Sequence, residues 1–161
     1  PWTPEKRPCV VADLARGAID SVRQKPEFAG VSIELTDASG GAVAEADPVL
    51  MGQVLWNVLE NANQAVEGRG SIRCRIERDN GAVRITVRDT GRGLPPGAED
   101  DLFRPFYTTR TRGTGLGLPV CRRIMTAHGG SITIANHREG GAEVALLLPT
   151  GTPHGRERTD R

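Results

Sequence analysis

Apolar residues recur along this chain with two different periods. Leu14, Ala18, Ile19 and Val22 repeat at helical spacing, which predicts a helix with Asp13 as its N-cap and Pro26 as its stop. Residues 31–36 alternate apolar and polar and predict a strand, followed by the Ser39-Gly-Gly turn and a weaker strand over 42–46. Asp47-Pro48 has the form of an N-cap with proline at the first helical position, opening a long helix to about Val66 that Gly68-Arg-Gly breaks. Strands are predicted over 71–78 and Ala82–Asp89, joined through the hairpin signal Asp79-Asn80-Gly81. Residues 90–114 carry no period, apart from one short helical turn within 97–103. A last helix is predicted from about Gly115 to His128, ahead of Gly129-Gly130, then a hairpin of Ser131–Asn136 with 142–148. Hairpin strands with interspersed helices predict an α/β (α+β) two-layer sandwich. Its mixed, largely antiparallel sheet would be covered on one face by about three helices.

Composition narrows the setting. The chain has 161 residues, 37% of them hydrophobic, which suffices for one core. Lys+Arg number 21 against 20 Asp+Glu, so no net basic charge points to nucleic acid or an anionic membrane. The cysteines Cys9, Cys74 and Cys121 are odd in number and contain no CxxC pair, which argues against a disulfide frame or a zinc site and for a reducing compartment. The longest apolar run, 144–148, is too short for a membrane span, and the N-terminal residues form no signal peptide. A cytoplasmic domain is expected. Residues 1–8, with three prolines, read as a leader or the cut end of a longer chain. Residues 9–149 read as the folded domain and 150–161 as a disordered polar tail. Glycine is over-represented, at 20 residues, and eight of these fall within 91–130. Glycine between regular elements marks backbone that bends sharply or approaches something closely.

Three clusters carry chemistry. On the long helix Asn57 lies at the margin of the apolar arc and Asn61 inside it, one turn apart, with Glu60 and Gln64 extending the polar stripe. Such a pair either caps neighbouring loops or presents neutral oxygens to a metal–phosphate group. Asp89-Thr-Gly-Arg-Gly directly follows a strand; it is either a plain turn or a carboxylate beside backbone that a flat ligand can approach. Gly113-Thr-Gly-Leu-Gly-Leu feeds a helix N-terminus, a source of free N–H groups for phosphate. It is neither a Rossmann fingerprint nor a Walker loop.

In this order, Asn57-x-x-x-Asn61-Ala, Asp89-x-Gly91-x-Gly93, Phe103-Arg-Pro-Phe106-Tyr-Thr-Thr-Arg and Gly113-Thr-Gly-Leu-Gly-Leu resemble the N, G1, F and G2 boxes of bacterial sensor histidine kinases. Those kinases belong to an ATPase superfamily with the gyrase B subunit and MutL. The short segment between F and G2 looks most like the nitrogen-regulatory and oxygen-sensing type. The resemblance covers about 47–149 and implies a Bergerat-type fold binding ATP, with ADP as product, and Mg²⁺. By resemblance, Asp89 accepts from the adenine amino group, and Gly91 and Gly93 let backbone approach the base. Asn61, helped by Asn57, ligates the metal. Thr109, Arg110, Gly113, Thr114, Gly115, Leu116 and Gly117 hold the phosphates. Asn57, Arg110 and, more weakly, Glu60 are the catalytic candidates; the other reading of Glu60 is a solvent-facing carboxylate. Phe103, Phe106 and Tyr107 are implied lid anchors rather than base-stacking groups. Two departures stand out: Ala142 where many relatives have threonine, and Gln64 where some kinases have a basic residue.

The histidines His128, His137 and His154 do not sit in a phosphoacceptor context, and no heptad pair builds a dimeric bundle. The expectation is a catalytic fragment of a larger kinase, itself monomeric. Its partners would be its own dimerisation and histidine-phosphotransfer helices and a response regulator, with no nucleic acid and no membrane. The alternative is a nucleotide-binding regulatory module, anti-sigma-type or pseudokinase, on the same fold.

Overall fold

A computed structural model describes residues 3–104 and 117–150. In chain order the elements are β1 (Arg7–Val10), α1 (Val11–Arg23), β2 (Val31–Asp37), β3 (Val43–Ala46), α2 (Pro48–Ala65), β4 (Gly70–Asp79), β5 (Ala82–Asp89), α3 (Gly117–Ala127), β6 (Ser131–Asn136) and β7 (Ala142–Pro149). Single 3-10 turns occur at Pro26–Phe28 and Asp101–Phe103.

The main sheet has five strands in the order β2-β4-β5-β7-β6. β2 and β4 pair in parallel and the other neighbours antiparallel. That parallel pair comes from a crossover through β3 and α2, which hairpin signals alone do not reveal. β5 and β7 alternate buried and half-buried positions along their whole length, as strands with one covered face must. Their inward residues Val83, Ile85, Val87, Val144, Leu146 and Leu148 meet Met51, Val54, Leu55, Val58 and Leu59 of α2 and Ile124 and Met125 of α3 in one core. The other face carries Arg73, Arg75, Arg84, Thr86 and Arg88 toward solvent. The two-layer sandwich is therefore as expected. Among the described residues no helix is long and apolar enough to cross a membrane.

Three local expectations are corrected. Arg7 and Pro8, read as leader, belong to β1, which pairs antiparallel with β3 from Arg7↔Ala46 to Val10↔Val43. Proline tolerates this edge position because its missing N–H is not needed there. Second, α1 starts at Val11, not after Asp13; its N-cap is Val10, which offers no side-chain bond. The Val11 N–H is instead tied to the Ala42 carbonyl at 3.0 Å, so strand pairing sets the start and Asp13 falls in the first turn. Third, Thr150, assigned to the tail, bonds the Gly81 carbonyl through its N–H (3.1 Å) and hydroxyl (2.8 Å). Residues 151–161 lie outside the described residues.

The start of α2 is tied down most heavily. Asp47 Oδ1 accepts from the N–H of Val49 (3.0 Å) and Leu50 (3.2 Å), and Oδ2 from the N–H of Glu5 (3.0 Å). The Asp47 N–H donates to His128 Nε2 at 3.0 Å, so the proton of this buried imidazole sits on Nδ1 and is given to the Ile124 carbonyl at 2.8 Å. Burial by itself raises the Asp47 carboxyl, but the three backbone donors, the N–H groups of Glu5, Leu50 and Val49, prevail and hold it below its ordinary 3.8. A depressed carboxyl stabilises the fold above its unfolded value and loses that contribution as pH falls through the folded value. Asp47→Ala should therefore cost about 1–2 kcal/mol at pH 7, and the gap to the unaltered chain should narrow below about pH 4. Urea denaturation at pH 7 and pH 3 reads both; a gap that does not change with pH would contradict the assignment.

Candidate functional site

Strand alternation puts Asp89, the last residue of β5, on the covered side, where it is only 5% exposed. Its Oδ1 accepts from the N–H of Gly91 at 2.9 Å and of Ala142 at 3.2 Å. Both bonds fall on one oxygen, so neither occupies Oδ2. The Ala142 contact is made by backbone, so the missing threonine hydroxyl at this position leaves it intact. Among the described residues no cation pairs with this carboxylate.

The surrounding glycines have a cause the sequence did not supply. A Cβ on Gly91 would run into the Ala65 carbonyl at the end of α2. Gly93, at φ +76°, would place a Cβ 2.6 Å from Asn136 Oδ1, and Gly141, also at +76°, would drive one into the Asp89 carbonyl. The room attributed to a ligand's approach is, at these Cβ positions, occupied by the protein's own atoms. Glycine is required here by the closeness of three segments.

α2 supplies the other half. Asn57 and Asn61 are half-buried, and the amide carbon of Asn57 lies 4.0 Å from where a Cβ of Gly117 would stand, at the first residue of α3. Gly91 packs on Ala65 and Gly117 on Asn57, eight residues apart on one helix, or about 12 Å by the helical rise. A buried carboxylate and a helix N-terminus thus border the same helix, separated on the scale of a nucleotide.

Glu60 is not part of this grouping. Its Oε1 pairs with Lys25 Nζ at 2.9 Å, and that ammonium also lies 4.1 Å from the Trp56 ring centre. The carboxylate is thus tied to Lys25, just after α1. The buried asparagine of α2 is Asn63, 6% exposed, not Asn61. Asn63 Nδ2 donates to the Glu27 carbonyl at 3.1 Å and secures the 3-10 turn after α1, because α2 is covered from the α1 side as well as the sheet. Phe103 is buried, with the Arg122 guanidinium 4.6 Å above its ring, so it anchors to α3 as implied. Thr109, Arg110, Gly113, Thr114, Gly115 and Leu116, with Phe106 and Tyr107, lie outside the described residues.

Sequence reading missed Asn136. Its side chain accepts from the Leu94 N–H (2.6 Å) and donates to the Leu94 carbonyl (3.1 Å). The available signal was parity, since Asn136 continues the inward series of Ile132 and Ile134 with a polar residue.

Neither buried thiol is poised for nucleophilic work. Burial pushes Cys74 up to about 12, against a small opposing pull from Arg23. Burial likewise pushes Cys121 up to about 11, against hydrogen bonding from the Asn57 side chain. Among the described residues no three His, Cys, Asp or Glu cluster as metal ligands. The donor set nonetheless suits a hard divalent cation that takes most of its oxygens from phosphate and water, with one or two amide oxygens from protein.

Gly141→Ala should lower the melting temperature by several degrees, through its clash and its positive φ. Gly17→Ala, at a helical position with nothing within 4 Å of the added carbon, should stabilise by up to about 1 kcal/mol. Thermal melts of both variants check this; equal melting of Gly141→Ala and the unaltered chain would refute the close approach.

A family model described as histidine kinase-, DNA gyrase B-, and HSP90-like ATPase matches residues 46–152. Sensor histidine kinase ZraS of Escherichia coli K12 is 39% identical over 105 residues, covering 65% of this chain and 23% of that protein. Sensor protein CutS of Streptomyces coelicolor is 33% identical over 152 residues, covering 90% and 36%. The chain thus spans about a quarter to a third of these curated relatives. Among solved structures, the catalytic domain of histidine kinase ThkA superposes with a TM-score of 0.83 at 30% identity, covering 91% of this chain and 96% of that one. ThkA in complex with the response regulator protein TrrA gives 0.79 at 26% identity, covering 91% and 42%.

Proposed function

Since the chain belongs to the histidine kinase-, DNA gyrase B- and HSP90-like ATPase family, we propose that it binds ATP with Mg²⁺ and donates the γ-phosphoryl group to a histidine on a separate dimerisation and phosphoacceptor domain, for relay to a response regulator. The observation that carries this reading is the buried carboxylate of Asp89. With Oδ1 engaged by two backbone donors, Oδ2 accepts from the exocyclic amine of adenine, whereas guanine would present a carbonyl there and repel it. The phosphates then run along α2 toward the start of α3, where N–H groups and the helix dipole favour negative charge. Asn57 and Asn61 would hold the metal through amide oxygens, and the metal, when bound, would screen charge on the phosphates. Arg110 adds a cation at the γ-phosphate, and its share is larger because Gln64 brings none.

In the transfer, the bond between the γ-phosphorus and its bridging oxygen breaks, and the electron pair leaves with ADP. An imidazole nitrogen of the acceptor bonds the phosphorus. Most of the catalysis is positioning and charge neutralisation, so the domain needs a correctly placed acceptor rather than a nucleophile of its own. Two of its histidines lie among the described residues. Both His128 nitrogens are engaged inside the fold, and His137 Nδ1 accepts from the Glu139 N–H at 3.2 Å. The response regulator belongs to the proposal on the strength of ThkA, solved with TrrA.

Asp89→Asn tests the base site. The new Oδ1 still accepts both backbone bonds, so the fold persists, while Nδ2 sets a donor against the adenine amine. Calorimetry should show ADP affinity down at least tenfold, on the order of 1.4 kcal/mol; unchanged affinity would remove Asp89 from the pocket.

With γ-labelled ATP, the chain alone should stay unlabelled and should slowly label a separately supplied histidine hairpin from its parent kinase, because the tethered effective concentration is lost. Acid-labile label on the chain itself would overturn the reading of its histidines. Tight ATP binding with no transfer at high hairpin concentration would favour the regulatory module.

A further inference from the structure

The loop from Asp89 to Leu94 is gripped at both ends by the β6–β7 hairpin. At one end the Ala142 N–H holds the Asp89 carboxylate. At the other, Asn136, which faces Ala142 in the β6–β7 register, binds Leu94 through both of its amide atoms. The side-chain amide stands in for a peptide group, so the ladder of β6 is continued by one rung onto a segment that is not a strand. Between the two grips lies Gly93, whose Cβ site is filled by Asn136 Oδ1 and lies 3.5 Å from the Gly141 carbonyl. The second glycine of the Asp-x-Gly-x-Gly motif and Asn136 therefore form a matched pair. Any side chain at 93 would expel the Asn136 amide from its place.

We propose that Asn136 is a positioning residue for nucleotide selection: by clamping Leu94 it fixes the backbone from Asp89 to Leu94 before nucleotide arrives, so that the Asp89 carboxylate meets the adenine edge in one orientation. This rests on the reading of Asp89 given above. Asn136 touches no nucleotide in this scheme; it acts through Gly93 and Leu94. A loop held only at Asp89 would sample other orientations and pay for its ordering on binding. Discrimination would suffer along with affinity, since a carboxylate free to turn away repels the guanine carbonyl less. Asn136 is itself exposed, so its removal leaves no buried void and little of the core depends on it.

The test uses five forms of this chain: unaltered, Asp89→Asn, Asn136→Ala, Asn136→Asp, and Thr133→Ala as a control at an exposed position of the same strand. Amide hydrogen exchange without nucleotide reads the clamp, and calorimetry with ADP and GDP reads selection. Asn136→Ala should expose the Leu94 amide to faster exchange, weaken ADP binding about tenfold through the loss of two hydrogen bonds, and shrink the ADP-to-GDP ratio, with a melting temperature close to that of the unaltered chain. Asn136→Asp keeps an acceptor for the Leu94 N–H and should recover part of the protection and of the affinity. Thr133→Ala should match the unaltered chain in every readout. If Asn136→Ala keeps the ADP affinity and the ADP-to-GDP ratio while Asp89→Asn loses binding, the pocket stands and the clamp is refuted. If ADP affinity falls only in step with melting temperature and the ratio is unchanged, Asn136 is merely structural. If the unaltered chain binds no ADP, the reading of Asp89 fails and this assignment falls with it.

Discussion

A carboxylate buried at the end of β5 is the constraint around which the rest of this structure is arranged. Taking Asp89 out of water costs several kcal/mol unless its oxygens are satisfied, and the described residues offer it N–H groups rather than a cation. Those donors exist only if β7 begins opposite the end of β5 and if the chain turns back at Gly91. The first condition fixes the β5–β7 register, in which Arg88 faces Glu143 and the next N–H, that of Ala142, falls on Asp89. The second fixes Gly91 against the last turn of α2. Both backbone donors fall on Oδ1 and neither on Oδ2, whereas a bidentate guanidinium partner would engage both oxygens.

α2 acts as the ruler between the two halves. It is covered by the sheet on one side and by α1 and α3 along its flanks, so its ends cannot drift. Asp47 and His128 pin its first turn to the end of α3, and Asn63 pins its last to the turn after α1. Rigid attachment at both ends converts a helical rise into a set distance between the Asp89 loop and the first turn of α3. The polar stripe of α2 divides accordingly: Asn57 looks to α3, while Trp56 and Glu60 serve the contact with Lys25 and α1. Residues adjacent in sequence thus do unrelated work because they differ by 100° around the helix.

That division marks the boundary of what was legible in the chain. The three helices, the strands Ala82–Asp89 and Ser131–Asn136 and the one-sided sheet follow from periodicity, because half-buried elements write their burial into the alternation of side chains. The motif around Asp89 was legible as an aspartate directly after a strand followed by Gly-x-Gly, though its burial was not. The parallel β2–β4 pair was not, since pairing across a crossover leaves no local mark. Nor was the entry of Arg7 and Pro8 into β1, where pairing with β3 outweighs a proline-rich composition. Glu60 was ambiguous because its partner, Lys25, lies 35 residues away. The glycines were seen but their cause was not: density of glycine announces close approach without saying of what, and here at Gly91, Gly93 and Gly141 it is backbone and an asparagine amide.

The sheet's two faces complete the argument about how so small a domain assigns roles. On the covered face, Asp89 at the end of β5 and Asn136 at the end of β6 both hold the 89–94 loop, while Asp37 at the end of β2 holds the turn at Ser39 and Gly41. On the open face the charged residues pair with one another, as Arg84 does with Asp79 at 2.6 Å and Arg88 with Glu139 at 3.4 Å. Pairs in which solvent still reaches at least one partner contribute about 1 kcal/mol or less each, short of what would define a second site. Alternation by itself, a period of two along β5 and β7, therefore separates the half-exposed face of the sheet from the buried face that carries Asp89. The polar residues that break the inward series mark where the hydrophobic core ends and chemistry begins.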